Sequence, residues 1–149
     1  MSAGGYGSEM ANEPRYCCAI LLDSRGRYVF ERRPRDEADA PGMLTCFGGG
    51  REEREDAESC LRRELREELG FEAGELERVF TLRTPRGEAW FYRLANGATG
   101  PEEGTVRALE AGFEVVWVDS TSALMKEVGA WHRVVLDGIA RGEHQATVA

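Results

Sequence analysis

The sequence predicts a single α/β (α+β) domain, with strands and helices that pack on both sides of a sheet. Three observations lead there. The chain has 149 residues, which suits one domain and lets it bury roughly 70% of its unfolded surface. Apolar runs of strand length recur between turn signals. Two other stretches, one ending at Gly70 and one at 130–140, repeat apolar residues at helical spacing. The expected organisation is a flexible segment over 1–14, one domain over 15–142 and a C-terminal tail over 143–149.

Taken in order, Tyr16 to Leu22 (YCCAILL) reads as a strand, the turn Asp23-Ser24-Arg25-Gly26 follows, and Arg27 to Arg33 returns as its hairpin partner. Residues 34–41 form a polar loop. Met43 to Phe47 is a short strand that runs into Gly48-Gly49-Gly50. Asp56 suits a helix N-cap and Gly70 the left-handed position that ends the helix. Glu77 to Arg83 and Glu88 to Leu94 are two strands around Thr84-Pro85-Arg86-Gly87, and 95–112 is a loop. Glu114 to Val118 is a further strand. Asp119 or Ser120 caps a short helix, and Ala130 to Ala140 is a longer one with Trp131, Val134, Val135 and Ile139 on its apolar face.

The formal net charge of -8 argues against nonspecific nucleic-acid binding, which depends on clustered Lys and Arg. A small anionic substrate stays open, because a bound divalent ion reverses the local field. No signal peptide and no membrane-length apolar run is visible, so neither a membrane nor a nucleic acid is an expected partner and the expected location is cytoplasmic. Cys17, Cys18, Cys46 and Cys60 form no CxxC pair and read as buried free thiols. Two histidines, His132 and His144, leave little for a His-rich zinc site or a Ser-His-Asp triad.

The helix before Gly70 concentrates acid. With Leu61 set at zero and about 100° per residue, Leu65 lies near +40° and Leu69 near +80°, while Glu68 lies near −20°, Glu64 near −60° and Glu67 near −120°. Like charges at i, i+4, as at Glu64 and Glu68, weaken a helix by roughly 0.2–0.5 kcal/mol. Glu68 projects at the edge of the core, where an unpaired carboxylate is costly. Solvent-facing charge would sit on the far side, with Arg62, Arg63 and Arg66. The arc therefore points to a shared hard cation with oxygen ligands, Mg²⁺ or Mn²⁺. The competing reading is a solvated face of a Glu- and Arg-rich helix. The glycine triplet is either a tight turn or a backbone that a phosphate can approach.

The stretch Gly49 to Phe71 (GGREEREDAESCLRRELREELGF) resembles the Nudix box. Gly49 is followed by five residues and Glu55, then by seven and Arg63-Glu64-Leu65-Arg66-Glu67-Glu68-Leu69-Gly70. Phe71 stands where a branched aliphatic is usual, and Phe47-Gly48-Gly49 where many members have Pro-Gly-Gly. The resemblance implies a Nudix-type α/β/α sandwich with a mixed β-sheet. It implies metal binding by Glu64, Glu67 and Glu68, with Glu64 the frequent general base, Arg63 orienting the cluster and Glu55 structural. Gly49 and Gly50 would approach the diphosphate. Glu110, in a segment similar to the family's Glu-Gly-Gln, would add a carboxylate. The cofactor implied is Mg²⁺, with Mn²⁺ as a substitute, and a homodimer is compatible with the habit of many relatives.

The implied function is a metal-dependent pyrophosphohydrolase. Its substrate would be a nucleoside diphosphate linked to another moiety: a nucleoside triphosphate, a nucleotide sugar, ADP-ribose or a dinucleoside polyphosphate. The alternative is a Nudix-fold nucleotide-binding or regulatory module without turnover, although such modules usually carry degenerate boxes. Isopentenyl diphosphate isomerase shares the fold but relies on a cysteine and on metal-binding histidines, which fits this chain poorly. Tyr28, Phe80, Trp90 and Phe91 could stack on a base, but such residues are more often sheet core.

Overall fold

The computed structural model describes residues 12–149. Most of the flexible segment expected over 1–14 therefore lies outside the described residues. Within it, the backbone N–H of Ala57 donates to Glu13 at 3.2 Å and the Arg51 guanidinium to the Pro14 carbonyl at 2.7 Å.

Among the described residues there are nine strands, arranged in two sheets, and two α-helices. The strands are β1 (Tyr16–Ala19), β2 (Leu21–Leu22), β3 (Tyr28–Arg32), β4 (Leu44–Thr45), β5 (Phe47–Gly50), β6 (Leu76–Thr84), β7 (Gly87–Leu94), β8 (Glu114–Val118) and β9 (Gln145–Thr147). The helices are α1 (Ala57–Leu69) and α2 (Ala130–Ala140), with a 3₁₀ turn at Ala123–Glu127 before α2. A mixed sheet runs β5-β1-β7-β6-β9, with β1–β7 and β6–β9 parallel. The second sheet is β2-β3-β4, with β8 also on β3.

Two expected strands are each shared between the sheets. Tyr16 to Leu22 breaks at Ile20, whose N–H goes to the Tyr92 carbonyl at 2.8 Å. β1 then belongs to the mixed sheet, and β2 makes the expected hairpin with β3 through Leu21↔Val29. Met43 to Phe47 breaks at Cys46. β4 pairs with β3, and β5 pairs antiparallel with β1, Cys17 facing Gly49. At that break the Cys46 N–H leaves the ladder and donates to His132 Nδ1 at 3.2 Å, so a buried amide keeps a partner.

Two further differences concern ends. Ser122, not Asp119 or Ser120, caps the 3₁₀ turn, its hydroxyl taking the Leu124 N–H, while Asp119 bonds Thr121. Gln145–Thr147, within the expected tail, adds β9 parallel to β6.

Helix α1 has the expected limits. The Asp56 side chain accepts from the Ser59 N–H, and Gly70 stops the helix at φ 65°. Ala57, Cys60, Leu61, Leu65 and Leu69 are buried on one face, and they join Cys17, Ala19, Val29 and Phe47 in one core cluster. Val135 and Leu136 of α2 pack on the other side with Phe30, Phe80, Leu82 and Phe91. All four cysteines are free and buried. The candidate site lies at β5, an edge strand of the mixed sheet.

Candidate active site

Helix α1 presents its acids in a graded series. Glu68 and Glu64 are partly buried and Glu67 is exposed, in the order of their angles from the apolar stripe.

Arg63 organises the outer half. Its Nε and Nη2 donate to the two Glu55 carboxylate oxygens at 2.7 and 2.9 Å. Its Nη1 donates to Glu64 at 2.9 Å and Glu67 at 3.3 Å, and Nη2 reaches the Gly50 carbonyl at 3.2 Å. A two-point grip on a carboxylate is strong and directional. It holds Glu55 well below the usual range, at about 2, against the opposing effect of burial. Burial pushes Glu64 up and Arg63 opposes it.

Glu68 lies deeper. Its Oε1 accepts the Gly48 N–H at 3.1 Å, and it shares its buried surroundings with the Glu31 carboxyl. Burial first, then the Glu31 and Glu64 charges, push it up to about 10. Glu31, on β3, is 3% exposed and pairs with Arg33 Nη1 at 3.3 Å. Sequence reasoning missed Glu31. A signal existed: strand alternation puts Glu31 on the same face as the buried Val29, which belongs to the core cluster under α1.

The glycines of β5 let these groups approach. A Cβ on Gly49 would lie 2.6 Å from the Glu64 carboxylate, and one on Gly48, at φ 146°, would lie 2.0 Å from the Cys17 carbonyl oxygen. At Gly50 a Cβ would meet nothing within 4 Å, so its site is open. Glu110 is exposed, and its charge is felt at Glu31. Its segment is tied to α1 by the Leu109 N–H donating to the Glu68 carbonyl at 2.9 Å.

Across β5 lies a cavity of about 510 Å³, lined by Gly48, Gly49, Gly50, Arg33, Phe91 and His132 among others. Of the four aromatics considered for stacking, Phe91 lines it, edge-on to His132 with ring centroids 5.8 Å apart. Phe80 is buried core, Tyr28 stacks on Phe30, and Trp90 lies under the Arg78 guanidinium. Burial holds His132 down at about 4. Because its Nδ1 accepts from Cys46, the neutral ring carries its proton on Nε2. Arg86 pairs with Asp39 at 2.8 Å at the mouth.

The NUDIX domain family matches residues 12–138. The chain belongs to the Nudix hydrolase family. Nudix hydrolases generally use divalent metal ions. The donor set here fits a hard one: carboxylate oxygens crowd each other, and the missing Gly49 side chain leaves the space that the Glu64 carboxylate occupies. Among the described residues, no three His, Cys, Asp or Glu side chains stand close enough together to hold an ion as placed. Glu67 is turned to Arg63.

This Nudix chain is 40% identical over 50 residues to nucleoside triphosphatase NudI of Enterobacter sp. (strain 638), an alignment of 34% of this chain and 36% of that protein. The match thus spans about a third of the relative's length. Among solved structures, a MutT protein of Bacillus halodurans superposes with a TM-score of 0.68 at 16% identity, covering 90% of this chain and 88% of that one. The Nudix domain of Shewanella oneidensis NrtR, solved with ADP ribose, gives 0.67 at 18% identity, covering 95% and 98%. Both show the shared fold. No helix among the described residues is long and apolar enough to cross a membrane.

Proposed function

We propose that this Nudix protein is a Mg²⁺-dependent pyrophosphohydrolase, with Mn²⁺ as a substitute, that cleaves the diphosphate of a nucleoside diphosphate linked to another moiety. The observation that carries this reading is one of placement. Glu64 and Glu68 meet the Gly48–Gly49 backbone on one side of β5, and a cavity of about 510 Å³ opens on the other. A diphosphate lying along the glycines would put its bridging oxygen beside the acids and its nucleoside in the cavity.

Each residue then has a task. Gly48 and Gly49 let the phosphates approach the backbone closely. Arg33, at the cavity wall, offers a positive charge to them. Glu64 takes the proton of the attacking water, a role for which a partly buried carboxylate pushed above its ordinary range is suited. Arg63, braced by Glu55, fixes the orientation of Glu64. Glu64, Glu67 and Glu68 would hold the divalent ion, Glu67 after turning inward from Arg63. The ion's chemistry is to neutralise charge on the phosphoryl oxygens and favour deprotonation of water.

The test is a panel of nucleoside triphosphates, nucleotide sugars, ADP-ribose and dinucleoside polyphosphates with Mg²⁺ and Mn²⁺, reading phosphate and pyrophosphate separately. The wild type should turn over at least one class, and Glu67→Gln and Glu68→Gln should abolish that turnover while staying folded. Unchanged turnover in folded variants would overturn the reading. Nucleotide binding without any metal-dependent release would favour the non-catalytic module instead.

A further inference from the structure

Two polar side chains on the cavity wall, His132 and Thr45, belong neither to the acidic cluster nor to the ion pair at the mouth. His132 is fixed from three directions. Its Nδ1 accepts the Cys46 N–H at 3.2 Å. Phe91 stands edge-on to it, with ring centroids 5.8 Å apart and planes at 80°. The start of α2, which carries it, is tied to β4 by the Gly129 N–H donating to the Leu44 carbonyl at 2.8 Å. A ring that accepts at Nδ1 is neutral and carries its proton on Nε2, so that nitrogen can only donate. Among the described residues Nε2 meets no hydrogen-bond partner.

Thr45 is 4% exposed, and its hydroxyl has no hydrogen-bond partner among the described residues. Most buried hydroxyls are paired, and an unpaired one is costly. Thr45 and His132 border one point of the wall: a Cβ on Gly129 would lie 3.5 Å from Thr45 Cγ2 and 3.6 Å from His132 Cδ2. Other polar groups around the cavity are engaged. The Tyr16 hydroxyl takes Arg15 Nε at 3.1 Å, Arg33 holds Glu31 and Glu37, and Arg86 holds Asp39. Much of the remaining wall is apolar, with Leu82, Ala89, Phe91 and Trp131. Such a wall fits a flat, largely apolar ligand with hydrogen-bonding atoms along one edge. A sugar would set its hydroxyls against it unpaired.

We propose that His132 and Thr45 are the residues that read the nucleobase: His132 Nε2–H donates to an acceptor on the base edge, and the Thr45 hydroxyl pairs with the N–H beside it. This rests on the reading above that places the nucleoside in the cavity, and it adds the side chains that select the base. Nucleobases carry an acceptor beside a donor on their pairing edge. Because His132 cannot accept, a ligand without an acceptor at that place leaves both groups unpaired, and sites of this kind discriminate strongly. The reading also gives the Thr45 hydroxyl the partner it lacks.

The experiment titrates the metal-free full chain with GMP, AMP, CMP and UMP, and with ribose 5-phosphate as the probe that lacks a base, while ¹⁵N NMR follows the histidine rings. The chain has two histidines, and the exposed His144 serves as internal reference. At least one nucleotide should shift His132 Nε2 and leave His144 unmoved, and ribose 5-phosphate should shift neither. His132→Asn puts Oδ1 in the place of Nδ1, which keeps an acceptor for the Cys46 N–H and removes the donor. It should weaken that nucleotide about tenfold or more, and ribose 5-phosphate not at all. Thr45→Val should weaken the nucleotide about threefold or more without lowering the Tm of the free protein, since the hydroxyl it removes is unpaired there. If His132→Asn does not fold, Thr45→Val and the wild-type spectra decide. No response at His132 from any of the nucleotides, an equal response to ribose 5-phosphate, or unchanged affinity in the folded variants overturns the proposal. Turnover of a panel substrate in that case leaves the hydrolase reading standing. A base-dependent response at His132 without metal-dependent turnover overturns the hydrolase reading and upholds this one.

Discussion

Glu55 and Glu68 are glutamates of one short stretch, and their surroundings drive them in opposite directions. Glu55 receives two N–H groups of Arg63 and is held at about 2. Glu68 receives one backbone N–H, lies deeper and faces Glu31, and is pushed up to about 10. The difference teaches how the proposed site is divided. The Glu55–Arg63 half is electrostatically complete and acts as a brace. The Glu68–Glu31 half has one guanidinium, Arg33, beside two buried acids, a shortage of positive charge that suits the proposed cation.

The largest expected effect tests the brace. Arg63→Ala leaves Glu55, Glu64 and Glu67 without their common partner. Removing one member of a largely buried pair costs about 3 kcal/mol, read by urea unfolding. Arg63→Lys should recover less than half of it, because a point charge cannot reproduce the two-point grip. Glu68→Gln should behave oppositely, changing the stability of the metal-free protein by less than about 1 kcal/mol, since it removes a poorly compensated buried acid. Equal losses at both positions would erase the distinction between the halves.

The next effect is on activity. Gly49→Ala puts a Cβ 2.6 Å from the Glu64 carboxylate. The clash is with the end of a flexible side chain, so the fold should hold while Glu64 is displaced. Turnover should drop about 10²-fold, as a misplacement of about 1 Å does in a well-ordered site. Gly50→Ala, with open space around it, should retain most activity. The contrast is measured as kcat for both variants at matched Tm.

The acid limb of stability distinguishes the halves further. Glu55 has a folded pKa of about 2 against an ordinary value near 4.3. Below its ordinary value the unfolded chain binds the proton more readily, so the stability Glu55 gives is present above about pH 4.3 and is lost as pH falls towards 2. His132, held at about 4 by burial, acts in a higher window. Its contribution is full above about pH 6.5 and declines as pH falls through 6.5 towards 4. Glu55→Gln should flatten the lower limb alone and His132→Gln the upper one alone, as seen in Tm from pH 2.5 to 8. A single merged transition unaffected by either variant would contradict both assignments.

How much of this was legible follows from which signals are local. Helix α1 could be read because its caps, Asp56 and Gly70, and its apolar period are local features of sequence. The grading of Glu68, Glu64 and Glu67 followed from angle alone. The partition of Tyr16 to Leu22 between two sheets could not be read: both halves are apolar and extended, and which partner a strand takes depends on residues far away, here Tyr92 and Val29. Strand β9 was invisible for a related reason, since Gln-Ala-Thr has no pattern and its pairing with β6 is tertiary. Glu31 was legible in part. Its parity with Val29 placed it inward, but nothing in the sequence said that Glu68 would be opposite.

The smallest expected effect lies at the cavity mouth, outside both halves. Arg86 pairs with Asp39 at 2.8 Å, and both side chains are more than half exposed, at 55% and 59%. Its guanidinium also lies 5.9 Å from the centre of the Trp131 ring. An exposed ion pair contributes about 0–1 kcal/mol and is screened by salt, so Arg86→Ala should lower stability by less than about 1 kcal/mol. If the pair merely decorates the surface, kinetics will not change either. It joins the loop after β3 to the β6–β7 turn, however, and both border the cavity. The variant should therefore raise KM about two- to fivefold with kcat unchanged, the pattern of lost binding common to ground and transition states. A change in kcat instead would mean that the mouth communicates with the acids, and the division of the site into a brace and a cation half would have to include it.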